Sequence, residues 1–173
     1  MFFAFATGRA QDNYYADSHV KVGNSNDLGR SRGLFGYHYF KDTIGDNKKI
    51  TKATFTAYQD YVGASTPTIG LYMVTSYYHN EKVTWKNQPT YSSVMASKAV
   101  SATGRHTWDA TKLAQAMYSE DREQFMIRNT DESVNKYKRF RSGSYSNTST
   151  DWPVYEITYV DAPSAPASVT VNK

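Results

Sequence analysis

The chain has 173 residues, no cysteine, a net charge of +4 and an isoelectric point near 9.1. A chain this long buries roughly 70% of its unfolded surface without staples, so one domain with a short appendage is expected, and the missing thiols exclude a disulfide framework or a thiolate metal centre. The positive charge is smaller than a dedicated nucleic-acid binder carries, so nucleic acid is not an expected partner, whereas an anionic polysaccharide or cell-wall polymer is compatible with it.

Taken in order, the chain reads mainly as short strands. Residues 1–6 are apolar but too short, and lack the basic start, for a secretory signal; they suit an N-terminal strand, and any export signal would lie upstream in a longer parent chain. No apolar run is long enough to span a bilayer. The turn-rich residues 23–27 precede an alternating run at 34–40. After a polar loop at 42–49, residues 53–58 alternate again, with Ala53, Phe55 and Ala57 facing inward and Thr54, Thr56 and Tyr58 outward. A loop at 63–67 leads into a strand at 68–74.

The stretch 77–89 organises the middle of the chain. It begins polar, passes through Val83-Thr84-Trp85, which suits a pleated buried surface, and must turn at Pro89, which lacks an N–H. Trp85 is expected to anchor a core, and Glu81 reads as a structural carboxylate. Residues 105–109 form a strand with Trp108 inward. The spacing then becomes helical: over 111–118, Leu113, Ala116 and Met117 share one face, and Asp109 or Thr111 can cap the start. Strands at 124–128, 137–142 and 153–159 follow, and in the last Tyr155, Ile157 and Tyr159 line one face. The pattern predicts an all-β sandwich over residues 1–160 with one short helix, and a core that includes Phe55, Trp85, Trp108, Phe140, Tyr155 and Ile157. Residues 161–173 change character: the prolines mark a linker, and Ser168-Val169-Thr170-Val171 looks like the opening of a fibronectin type III repeat, so a larger multidomain parent with neighbouring domains is expected.

Catalytic signatures are weak. His19, His38, His79 and His106 are scattered, and none stands in a nucleophile or metal motif. Glu120-Asp121 and Asp131-Glu132 read as solvated acids in polar loops. The densest basic and aromatic run is 136–141. With Phe140 inward, Tyr137, Arg139 and Arg141 share the outward face, where exposed rings and cations suit a sugar or polyanion. Arg30 and Arg32 alternate likewise. Basic residues on a strand also protect an edge from pairing, so both readings of these five residues stand.

Several of these segments resemble one family. Glu81 followed by Val83-Thr84-Trp85, Asn87 and Pro89 looks like the Glu-x-Val-Thr-Trp-x-Asn-x-Pro motif of DNRLRE-type domains. Trp108-Asp109-Ala110-Thr111, then a helix, is similar to that family's aromatic-Asp-x-Thr element, and residues 50–55, 140–142 and 153–159 are similar to its other strands. Where the family usually has Phe-Asp-Leu, this chain has Tyr39-Phe40-Lys41-Asp42. The resemblance covers about residues 17–159. It implies a jelly-roll β-sandwich of secreted or cell-surface, wall-associated bacterial and archaeal proteins, acting as a non-catalytic carbohydrate-binding or adhesion module, or alternatively as a spacer with no glycan ligand. Jelly-roll binding modules often hold a structural calcium, the one cofactor to consider; Asp17, Asn24, Asn26, Asp27 and Asp109 offer oxygen ligands, although the spacing near residue 24 fits an ordinary turn.

Overall fold

The structure is a computed structural model that describes residues 2–8, 10–13, 17–61, 63–79, 81–133, 135–145 and 149–163. Among these residues there are ten strands: β1 (Phe2–Ala6), β2 (His19–Ser25), β3 (Gly29–Gly36), β4 (Lys48–Gln59), β5 (Thr68–Met73), β6 (Ala96–Ala99), β7 (Gly104–Asp109), β8 (Gln124–Asn129), β9 (Tyr137–Arg141) and β10 (Val154–Asp161). All pairings are antiparallel, and the ladder runs β10-β4-β9-β2-β3-β8-β5-β6, with β1 added to β3 and β7 to β4. The fold class is all-β, as the alternation predicts.

Two strands change partners along their length, and this closes the sandwich. Residues 33–35 of β3 pair with β1 on one edge and β8 on the other, while Ser31 pairs with β1 and β2. So β2 and β8 follow each other along one edge of β3. Residues 54–56 of β4 pair with both β10 and β7, and Gln59 pairs with β7 and β9, so β10 and β9 likewise share one edge of β4. The ladder folds over at these strands and encloses Phe35, Phe55, Trp108, Phe125 and Phe140. Phe35 meets Phe55 edge-on at 5.0 Å and stacks on Phe125 at 5.4 Å, and the Trp108 indole N–H donates to the Ile69 carbonyl at 2.9 Å. Such ring pairs add about 1 kcal/mol each beyond their buried area. Ala53, Phe55 and Ala57 face this core as predicted. Tyr155 and Ile157 pack against its margin, but Tyr159, beside a register shift in β10, is exposed at the rim. The Tyr37 and Tyr155 rings lie 5.2 Å apart at the same margin, their hydroxyls buried with no hydrogen-bond partner among the described residues.

The predicted helix is present as α2 (Thr111–Ser119), burying Leu113, Ala114 and Met117. The N-cap position is Ala110, with no side-chain cap; Asp109 just before it accepts the Thr111 N–H at 3.0 Å, and the Thr111 hydroxyl accepts the Ala53 N–H from β4. A second, shorter helix was not expected. The strand predicted over 34–40 stops at Gly36, Tyr39 adopts φ 60°, and α1 (Phe40–Ile44) follows, burying Phe40 and Ile44 one turn apart. It occupies the place where the chain departs from the DNRLRE-type pattern.

Trp85 does not anchor the core, contrary to the expectation from the sequence. The stretch 77–89 is not a strand but a cover laid over the outer face of β3, β8 and β5. There Leu34, Met126 and Tyr72 point away from the main core and join Val74, Tyr78 and Val83 in a second apolar cluster. Val83 is its buried plug; Trp85 is only partly buried at its margin. β3 is thus covered on both faces, so burial is continuous from Ser31 to Phe35 instead of alternating. Asp161 ends β10 in an ion pair with Lys48. The predicted opening of a further repeat, at 164–173, lies outside the described residues.

Candidate functional site

The strand β9 places its side chains as the alternation requires: Lys138 and Phe140 are fully buried, while Tyr137, Arg139 and Arg141 share the outward face. β2 supplies the neighbours. Gly23 adopts φ +120°, and a Cβ there would sit 2.2 Å from the Lys136 carbonyl, so only glycine lets the two strands approach as they do. Tyr137 stacks on Tyr61 at 4.5 Å, and the Lys21 ammonium lies 4.9 Å from the Tyr137 ring. Burial first, and the Tyr61 hydroxyl second, push the Tyr137 phenol up to about 12.

Asp60 organises the cations. It takes Arg139 Nε at 2.8 Å and His19 Nε2 at 2.9 Å, with Arg141 Nε 3.5 Å away. Burial alone would raise the Asp60 carboxyl; the Arg139 hydrogen bond and the Arg139 and His19 charges outweigh it and hold the group below the usual range. Arg141 lies over Tyr58 and Tyr145 and pairs with Asp151, so it is held on several sides. Arg139 is freer, with its side chain 42% exposed. A cleft of about 150 Å³ lined by His19, Lys21 and Arg139, and another of about 410 Å³ lined by Tyr61, Tyr137, Asn26 and Asn135, adjoin this row.

Arg30 and Arg32 are not part of this face. They flank Trp85 on the second cluster, at 5.5 and 4.7 Å from its ring. Arg32 is buried and holds Glu132 with two bonds, Nε at 2.8 Å and Nη2 at 2.6 Å, while Nη1 reaches Gln88 in the cover. Burial opposes the Arg32 charge, and the bonds to Glu132 more than restore it. Arg128 adds a second cation to Glu132 at 3.1 Å and donates to the Tyr91 hydroxyl. Glu132, expected in solvent, is therefore the buried centre of an ionic cluster that fastens the cover to the sheet.

A further cleft, about 500 Å³, opens where the segment after β5, the loop after α2 and the start of the cover meet, and is lined by His38, Tyr77, His79, Glu81, Arg122 and Glu123, among others. Glu81 is exposed here, on the wall of the cleft.

A family model for carbohydrate-binding module family 96 matches residues 4–158, spanning every strand from within β1 to within β10. The chain belongs to that family. No curated protein matches it. The module therefore carries a carbohydrate-binding scaffold, and no helix among its described residues is long and apolar enough to cross a membrane.

Of the oxygen-bearing candidates for calcium, Asn24, Asn26 and Asp27 lie together at the end of β2 and the turn after it, and each side chain has a partner within the protein, Asn26 Oδ1 accepting from the Asn135 amide at 2.6 Å. Asp27 pairs with Lys21, which with Ser25 holds its carboxyl down at about 2. Asp109 accepts the Thr111 N–H at the start of α2, Asn24 donates its side-chain amide to the Glu132 carbonyl, and Asp17 is exposed on the wall of the 150 Å³ cleft. Among the described residues no group of three His, Asp or Glu side chains is placed to hold a metal ion. Asp60 and the 500 Å³ cleft escaped the sequence reading. Asp60 sits alone after a strand, and the cleft draws on segments far apart in the chain.

Proposed function

We propose that the module binds a glycan along the outward face of β2 and β9, without catalysis. The observation that carries this is the row Tyr61–Tyr137, Lys21 and Arg139, with two clefts that these residues line. From Tyr137 to Arg141 the row runs roughly 13 Å at ~3.3 Å per residue, a length that suits an extended oligosaccharide. Asp60 pre-orients Arg139 and His19, so little ordering is left for binding, and the donors suit a polysaccharide or cell-wall polymer that carries carboxylates. The DNRLRE-type motif supports a setting in a large secreted or wall-associated multidomain bacterial protein, where such a module would attach its neighbours to the polymer. A spacer role is the competing reading, favoured by the exposed Val154, Tyr159 and Val160 on β10.

Affinity electrophoresis of the chain through gels containing neutral and uronate polysaccharides tests the proposal. Retardation is expected in a uronate gel, and Tyr137→Ala with Arg139→Ala should weaken it at least tenfold, about 1.4 kcal/mol, with the melting temperature checked in parallel. Undiminished retardation in a folded double variant would refute the assigned face, and no retardation in any gel would favour the spacer.

A further inference from the structure

The 500 Å³ cleft lies away from the face just described. β3 separates them: its first residues pair with β2 beside that face, and its far end leads through Tyr37 to His38 in the cleft wall. The eight residues of β3 span roughly 25 Å at ~3.3 Å each, so one short oligosaccharide cannot serve both. The volume is that of a small-ligand site.

Its lining is of a different kind. Tyr77 stands 87% exposed at the wall, an open ring of the sort against which a sugar face packs. Glu81, Asp121 and Glu123 bring three carboxylates against the single arginine, Arg122. Glu123 is held in place: one oxygen accepts the Tyr39 N–H at 2.6 Å and the other lies 3.6 Å from His38 Nδ1. Arg122 lines the same wall and supplies its one guanidinium. A carboxylate accepts hydrogen bonds from sugar hydroxyls, whereas a uronate or sulfate here would face like charges.

We infer that this cleft is a second carbohydrate site, selective for a glycan segment without negative charge, with Tyr77 as its stacking platform and Glu81 and Glu123 as hydroxyl acceptors. The two sites then differ in ligand class although they share one small domain.

The test uses the ¹⁵N-labelled full chain, titrated to millimolar concentration with neutral hexasaccharides of glucose, xylose and mannose, and separately with hexagalacturonate. A neutral probe should shift the backbone amide signals of Tyr77, Glu81, Glu123 and Gln124, and Tyr77→Ala should weaken that binding roughly tenfold. Hexagalacturonate should leave those signals in place. The inference falls if no neutral probe moves them, if hexagalacturonate moves them as strongly, or if Tyr77→Ala binds unchanged. Signals of Tyr137 and Arg139 report the other face separately, so either site can fail alone.

Discussion

Glu132 and Arg32 meet across 100 residues of sequence, and nothing local announces it. Beside Asp131, Glu132 has the look of a solvated acid; the contact arises only because β3 and the segment after β8 converge beneath the cover. A buried charge that loses its partner is costly, about 3–5 kcal/mol. Glu132→Gln should therefore lower the unfolding free energy by an amount of that order, read from urea denaturation, because Arg32 and Arg128 would be left facing a neutral group. By contrast, the outward placement of Tyr137, Arg139 and Arg141 was legible from strand parity alone. What parity could not show was their partner: Asp60 lies just past the end of β4, and its role depends on β4 delivering it beside β9.

The stretch 77–89 shows where motif and element part company. Val83-Thr84-Trp85 has strand-like composition, yet the segment is a turn held by a side chain. Asn87 accepts the Thr84 N–H at 2.5 Å and its hydroxyl at 2.9 Å, and donates to the Lys82 carbonyl at 2.8 Å. Such local side-chain bonds compete with a ladder and win where no partner strand is at hand. Asn87→Ala should loosen the cover while sparing the sandwich: amide exchange at Thr75 and Val83 should quicken at least tenfold, with β4 and β9 unchanged. Equal acceleration throughout would show that the cover and the sandwich open together. α2 was legible because its apolar spacing is sustained and Asp109 marks its start. α1 was not, because one turn carries too little periodicity, and Phe40 with Ile44 is its only signature.

At the scale of the whole molecule, alternation at β4 and the strand-rich pattern were enough to predict two facing layers, and the main core closes over Trp108 and Phe55 as expected. The change of partners along β3 and β4 was beyond the sequence, because it depends on which edges remain free once the other strands have paired. Tyr37 and Tyr155 are held at the margin of the main core and Tyr78 beneath the cover, and burial raises all three phenols well above their ordinary value, with Tyr37 adding to the effect on Tyr155. Below pH ~10 these rings are protonated whether the chain is folded or not, and stability does not depend on them. Above it the unfolded chain releases protons that the folded chain retains, so stability falls as alkali is added. Phenolate absorbance after a jump to strong alkali should therefore rise in two phases, the slower keeping pace with loss of the β-sheet dichroism; a single fast rise with the dichroism intact would contradict this. Three sealed rings thus give the domain a built-in optical clock for its own opening, with no label attached.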